Sequence, residues 1–414
     1  MSSIELGSPA FKANPYPVFA NVRKDDPVKQ VILPGNRLGW LITRYEDAEL
    51  ALRDARFVKD PQRALSPEQL QQQFGNIPMG QDADSEDAAL RRPAFFERHM
   101  LGVDPPDHTR LRSLVNLSFT PRFIERWRER IQTIANELLA GVESKGTMDL
   151  VNDFAFPLPM LVITEMLGVP REDQDKFRAW SNLFIESSGD PDSFRQNAEQ
   201  IAAFREYLRY LIDKKREQSA EDLLSGLIEA ETAGNKLSQG ELISMVSLLL
   251  IAGHETTVNL ISNGMLALLQ HSEQKELLQQ DPALIKSAIE EFLRFHGPLM
   301  TATQRWMRED VELNGKLLKR GDYVVVILAS ANHDEETFKN PETLDITRQD
   351  NRHLAFGKGI HYCLGAPLAR LEGQIAISTL LQRFPHIQLA VAPEELTWRP
   401  GALIMGLRSL PVKF

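Results

Sequence analysis

The sequence predicts a mainly α fold with a small β region, built as one continuous domain over residues 1–414. Three observations predict it. Between residues 106 and 232, several stretches carry apolar residues at helical spacing, separated by Pro, Gly and Asp. A capping box, Ser238-Gln-Gly-Glu241, opens an apolar segment that runs to about residue 270. Strand signals are short and sparse by comparison. No internal repeat and no low-complexity linker divides the chain.

The elements follow in order. Residues 15–30 read as a helix. Val31-Ile-Leu33 and Gly39-Trp-Leu-Ile-Thr43 read as a hairpin around Pro34-Gly35-Asn36. Residues 60–103 are polar, acidic and broken by Pro and Gly, a long surface segment of the kind that forms lids or stays disordered. Helices are expected near 106–118, 121–145, 151–167, 171–188, 193–218 and 221–232. The helix over 238–270 would run on the order of 50 Å, at ~1.5 Å per residue, and so cross the molecule. Asp281-Pro282 caps another helix, which ends at Gly297-Pro298. Asn314-Gly315 is a hairpin turn, Tyr323-Val-Val-Val-Ile-Leu328 a buried strand, and the C-terminal stretch short strands.

Composition narrows the function. Hydrophobic content of 43% is enough for a core with a cavity, and a net charge of −10 argues against nucleic acid as a partner. A single cysteine permits no internal disulfide and fits a reducing cytosol. Met1-Ser-Ser-Ile-Glu-Leu-Gly7 lacks a basic-then-apolar signal pattern. The longest apolar run, around Leu248–Ala252, is too short to span a bilayer. A soluble cytoplasmic protein that engages no membrane is expected.

The one cysteine, Cys363, lies in Phe356-Gly-Lys-Gly-Ile-His-Tyr-Cys-Leu-Gly365. Gly357, Gly359 and Gly365 let the backbone bend tightly and approach a flat object closely. A helix with Pro367 in its first turn follows, which places Cys363 at a helix N-terminus, where the dipole and free N–H groups favour a thiolate. A thiolate is a nucleophile or a metal ligand. The long helix carries Ala252-Gly-His-Glu-Thr-Thr257 in its middle. Gly253 costs ~1 kcal/mol in a helix interior, and the threonines can bond back to carbonyls and open a bend. Glu255 is a carboxyl in apolar surroundings. Leu248, Ala252 and Thr256 share one face. That face is a groove with a proton source or a polar cluster that fixes packing. Glu291-Phe-Leu-Arg294 places two opposite charges at i, i+3, as an isolated match a surface ion pair. His108 and Arg112, at i, i+4 in Asp104-Pro-Pro-Asp-His-Thr-Arg-Leu-Arg112, read in isolation as a solvated polar turn.

Taken together and in this order, these motifs resemble the soluble bacterial members of the cytochrome P-450 family, the haem-thiolate monooxygenases, over nearly the whole chain. The resemblance implies a triangular, largely helical fold whose long central helix crosses the distal face of haem b. It implies Cys363 as axial ligand of the iron, with Phe356 packed beside it. It implies Thr256 and Glu255 as the oxygen-activating pair and Ala252 in the distal groove. His108, Arg112, Arg305 and His361 match the positions that contact the haem propionates, two carboxylates meeting two arginines and two histidines. Glu291 and Arg294 match a structural pair, not catalytic residues. The third partner of that pair is commonly an arginine. Thr343 stands there, so Arg348 completes the triad or it is incomplete. Ala331-Asn-His-Asp-Glu335 departs from the usual Asn-Arg-Asp-Pro run.

The implied reaction inserts one oxygen atom from O2 into a C–H bond of an apolar small molecule. A thiolate trans to oxygen favours O–O cleavage, and Glu255 would feed protons to Thr256. The sequence contains no G-x-G-x-x-G, so electrons would come from separate proteins, by resemblance a ferredoxin and a ferredoxin reductase. Arg122, Arg126, Arg128, Lys358 and Arg370 are candidate contacts for an acidic partner. Pocket-lining stretches implied by the resemblance are 75–103, 180–190, 245–256, 299–303 and 404–405, with Phe95, Phe96 and Phe184 among them. They suit a fatty acid, terpenoid, steroid or polyketide. Loops 60–103 and 180–195 could close as a lid. Three rivals differ from this reading. A cysteine hydrolase would pair Cys363 with His361, a poor geometry at two residues' separation. A haem sensor would not need Glu255 and Thr256. A peroxide-driven oxygenase would not need an acid–hydroxyl pair.

Overall fold

The computed structural model of the chain describes residues 4–33, 37–74, 99–174, 176, 177, 179, 180, 183, 196–232 and 237–414. The turn at 34–36, Phe95, Phe96, Phe184 and most of the two expected lid segments lie outside the described residues.

The longer helices are α1 (Tyr16–Asp25), α2 (Tyr45–Arg53), α3 (Asp107–Ser118), α4 (Arg128–Glu143), α5 (Pro157–Met166), α6 (Ala198–Glu217), α7 (Leu223–Thr232), α8 (Gln239–Gln270), α9 (Ser272–Gln280), α10 (Ile285–Phe295) and α11 (Ala366–Arg383). The strands are β1 (Val28–Leu33), β2 (Arg37–Ile42), β3 (Phe57–Val58), β4 (Thr147–Asp149), β5 (Arg305–Met307), β6 (Val311–Leu313), β7 (Lys316–Leu318), β8 (Tyr323–Val326), β9 (Gln388–Leu389) and β10 (Pro411–Lys413). The fold is mainly helical with small sheets, as the sequence predicts.

Several boundaries move for physical reasons. The first helix stops at Asp25 because Pro27 disfavours helical backbone at Asp26, and the chain enters β1. The expected helix over 151–167 starts instead as a π-helical turn, Leu150–Ala155, capped by the Asp149 carboxylate. Pro157, lacking an N–H, restarts the chain as α5. The expected 121–145 helix divides into Pro121–Glu125 and α4. Helix α9 has no side-chain cap bond at His271, so no capping signal announces it.

The sheets are order β1-β2-β8-β5-β3, order β4-β10-β9, and the hairpin β6-β7. Asn314 and Gly315 turn that hairpin with φ of 50° and 69°, as their sequence signal requires. Strand β8 pairs parallel with β2, Trp40 opposite Val324, a crossover that local sequence cannot reveal.

Helix α8 organises the core. Its capping box forms in both directions between Ser238 and Glu241, and it packs against α5, α10 and α11. By length and apolarity α8 could cross a membrane, yet most of that apolar window is inside the protein, which is why it exceeds the short run read from the sequence. Gly253 and Gly373 mark close helix approaches: a Cβ at Gly253 would sit 3.2 Å from Ile163, and one at Gly373 3.1 Å from Leu260. The helix is unbroken through Ala252–Thr257, so the expected bend does not interrupt it.

Candidate functional site

The cysteine loop is built by two glycines rather than three. Gly357 and Gly359 have φ of 69° and 71°, which favours glycine, whereas Gly365 has an ordinary φ of −78°. Gly359 also presses on α2, where a Cβ would come within 2.9 Å of the Leu52 carbonyl oxygen. The Cys363 N–H donates to the Phe356 carbonyl at 2.9 Å, closing the loop. The Arg370 guanidinium lies 4.5 Å over the Phe356 ring. The backbone N–H groups of Gly365 and Ala366 at the start of α11, with the Arg112 and Arg370 charges, favour an ionised Cys363. Burial nevertheless pushes the thiol up, against those two N–H groups and Arg112. In the chain alone, desolvation outweighs the helix N-terminus, contrary to the expectation of a thiolate from position alone.

Beside this loop is a buried basic cluster. The His108 and His361 rings are 4.4 Å apart. Burial is the main cause that drives His361 down to about 2, with Lys59, Arg305, His108 and Arg112 adding repulsion. Burial likewise lowers His108 and brings Arg305 down to about 10. Both ring nitrogens of His108, Nε2 of His361 and Nε of Arg305 are buried without a hydrogen-bond partner among the described residues. The cluster thus joins α3, β5 and the cysteine loop, the four residues expected to converge. It also contains Lys59 and Asp104, which sequence reasoning missed. Asp104 accepts from the Lys59 and Asp60 N–H groups at 2.9–3.0 Å. The one sequence sign of Lys59 is a charge directly after the apolar pair Phe57-Val58.

Across the middle of α8 a single stripe is accessible. Ala252 is exposed, and Leu248 and Thr256 are half-buried, in a helix otherwise largely buried from Glu241 to Leu268. The Thr256 hydroxyl donates to the Ala252 carbonyl at 3.2 Å. Glu255 is buried, and neither carboxyl oxygen has a hydrogen-bond partner among the described residues. Its neighbours are Arg399 at 3.9 Å and His254 Nε2 at 4.0 Å. Burial raises its carboxyl pKa, against the pull of Arg399. His254 Nδ1 is 2.7 Å from the Leu250 carbonyl, so Nδ1 carries the hydrogen and the Nε2 lone pair faces Glu255. Burial takes His254 down to about 4. Glu255 and Thr256 are chain neighbours, but their side chains do not hydrogen-bond.

The pair Glu291 and Arg294 is fully buried, joined by two 2.8 Å hydrogen bonds, and is not a surface pair. Arg348 Nε donates to Glu291 at 3.1 Å, which settles the third partner. Thr343 contributes only its carbonyl, 3.2 Å from Arg294.

The sequence model of the cytochrome P450 family matches residues 79–405. The chain belongs to the cytochrome P450 family. A Bacillus subtilis cytochrome P450 is 45% identical over 414 residues, covering 100% of this chain and 97% of the relative. The structure of PksS, the cytochrome P450 of the Bacillus subtilis bacillaene polyketide synthase, superposes with a TM-score of 0.89 at 42% identity, covering 100% of this chain and 99% of that one. The myxobacterial cytochrome P450 CYP267B1, solved with myristic acid, gives a TM-score of 0.90 at 42% identity, covering 99% and 98%. The protein is therefore a P450 monooxygenase, an oxidoreductase whose family binds haem b through a cysteine thiolate and works with O2, redox partner proteins and apolar substrates. This P450 has one cysteine to offer. Its unpartnered buried donors on His108, His361 and Arg305 are the groups a porphyrin's carboxylates require, so the residues fit the cofactor.

Two further expectations for this P450 are tested by geometry. Segments 299–303 and 404–405 lie side by side: Leu299 bridges Ile404, and the Met405 N–H donates to the carbonyl of Pro298, directly before Leu299, at 2.8 Å. The basic partner candidates are mostly engaged within the chain. Arg126 pairs with Glu221, Arg128 with Glu125, Lys358 with Glu49, and Arg370 with Glu290 through two 2.7 Å bonds. Arg370 thus contributes to the loop's own architecture through Glu290 and Phe356.

Proposed function

We propose that this P450, acting as a single domain over residues 1–414, hydroxylates a C–H bond of an apolar small molecule. Electrons arrive from a separate ferredoxin and ferredoxin reductase in the cytoplasm. The observation that carries the reading is the convergence of unpaired buried donors on the loop that presents Cys363. Cys363 would hold the haem iron through its sulfur, and a bound cation would favour ionisation of a thiol whose pKa burial raises. Phe356 and Gly357 flank the ligand, and His108, Arg112, Arg305 and His361 bind the cofactor's carboxylates. Haem, when bound, supplies the reductive cleavage of O2 and the oxygen atom that reaches the substrate.

The chain supplies proton control and shape. Glu255, with its carboxyl pKa raised by burial, holds a proton inside the protein. Its movement from the Arg399 side towards Thr256 would hand that proton to the accessible stripe. The Thr256 hydroxyl, already donating to Ala252, keeps its lone pairs available to accept a hydrogen bond from that acid. The small Ala252 side chain leaves room for the porphyrin and oxygen. Leu248, Leu299 and Ile404 are half-buried apolar positions suited to a lipophilic substrate. Two relatives support an extended carbon skeleton: CYP267B1 was solved with myristic acid, and PksS belongs to a polyketide synthase.

An absorption spectrum of the reduced, carbon-monoxide-bound protein tests the ligand assignment. Thiolate ligation places the Soret band well to the red of histidine ligation, and Cys363→Ala must abolish that band. Retention of it in the variant overturns the assignment. Titration with medium-chain fatty acids and macrolactones, read as a spin-state change, tests the substrate class.

A further inference from the structure

The basic cluster holds more charge than the four expected residues bring. Strands β3 and β5 pair antiparallel with Val58 opposite Trp306 and Phe57 opposite Met307. Continuing that register sets Lys59 opposite Arg305, so two cations face each other across a ladder, on one face, both buried. Like charges directly opposite destabilise a strand pair, and burial magnifies the penalty unless anions lie between them. Asp104 is the carboxylate at hand, and the backbone N–H groups of Lys59 and Asp60 already engage it. Lys59, Arg112 and Arg305 against Asp104 leave an excess of two positive charges. A porphyrin with two carboxylates cancels that excess, and without Lys59 it would not be cancelled one for one.

We propose that Lys59 is a binding residue for the cofactor, its ammonium holding one of the two porphyrin carboxylates alongside Arg305. The inference rests on the haem reading above. Among the described residues Lys59 Nζ bonds only neutral acceptors: the Thr303 hydroxyl, the Thr303 carbonyl at 3.0 Å and the Gln304 carbonyl at 3.3 Å. The longest of these, to Gln304, is the contact a carboxylate oxygen replaces, because a charge-assisted bond is shorter and stronger. Burial, followed by Arg305, pulls Lys59 well below its ordinary pKa, and Asp104 opposes them. A carboxylate beside the ammonium would offset that burial. Thr303, in the segment that bridges the Ile404 region, ties the same ammonium to the wall of the substrate pocket.

The test is haem loss from the full chain to an excess of a high-affinity apoglobin, followed by absorbance. Lys59→Gln is expected to release haem about tenfold faster, the fold-change of one charge-assisted hydrogen bond, and Lys59→Arg to retain it near the natural rate. Loaded with iron protoporphyrin dimethyl ester, the natural protein and Lys59→Gln should release the cofactor at the same rate. Equal haem retention in Lys59→Gln overturns the inference, as does an equal acceleration with the ester, which would indicate packing alone. A natural chain that takes up no haem, or prefers the ester, overturns the underlying haem reading instead. Should Lys59→Gln not fold, the natural chain answers with 15N-labelled lysine in its reduced carbon-monoxide form. One Nζ signal, missing from Lys59→Arg, must differ between haem and ester loading, and no difference overturns the inference.

Discussion

Arg348 Nε donates to the same Glu291 carboxylate that Arg294 holds with two bonds, and the Asn351 amide and the Asp345 N–H donate to it as well. Arg294 in turn bonds the carbonyls of Asn332, Pro341 and Thr343. One carboxylate thereby ties α10 to the chain that leads into the cysteine loop.

Breaking this node from its centre should be worse than trimming its edge. Glu291→Gln leaves Arg294 buried without its counter-charge, and removing one partner of a buried pair costs about 3–5 kcal/mol. Arg348 gives Glu291 one bond where Arg294 gives two, and Arg348→Ala leaves the Glu291–Arg294 pair intact, so it should cost less and leave a folded, haem-loaded protein. Chemical denaturation and haem content should rank natural chain, Arg348→Ala and Glu291→Gln in that order.

On the function proposed above, proton supply by Glu255 and oxygen handling at Thr256 are separable. Thr256→Ala removes the hydroxyl on the accessible stripe but not the buried acid. Reductant consumption should continue while the ratio of product to reductant falls. Glu255→Gln removes the proton store itself, and product formation should slow by about 100-fold, the lower range for loss of a general acid. Measuring product and reductant together checks both. Unchanged coupling in Thr256→Ala would place the proton route elsewhere.

How far the sequence carried differs by element. Capping at Ser238, the Asn314-Gly315 turn and the long apolar helix were legible because each depends on neighbours in the chain. His108, Arg112, Arg305 and His361 meet beside the cysteine loop, a convergence for which the family resemblance, not local sequence, gave the expectation. The parallel pairing of β2 with β8, the place of Arg348 beside Glu291, and Lys59 beside Arg305 were not legible, because each is a tertiary contact between distant segments. The surface reading of Glu291 with Arg294 failed for the same reason: spacing shows that two side chains meet, not what covers them. The thiol of Cys363 shows a converse case, a local helix-terminus effect outweighed by burial.

Glu372 on α11 gives a stability test that needs no substrate. It is a buried carboxyl beside the Thr257 hydroxyl, and burial, against the pull of Thr257, pushes it up to about 8 from an ordinary glutamate's 4.5. Between those two values the folded chain keeps a proton that the unfolded chain releases. Stability from this group is therefore complete below about 4.5 and falls as pH rises towards 8. Glu372→Gln supplies a neutral side chain of the same shape and removes the titration. The variant should match the natural chain near pH 5 and exceed it by a few kcal/mol at pH 8. Denaturation of both proteins at the two pH values decides it: parallel pH profiles would mean that the carboxyl ionises without penalty, and that the space between α11 and α8 is wetter than its packing indicates.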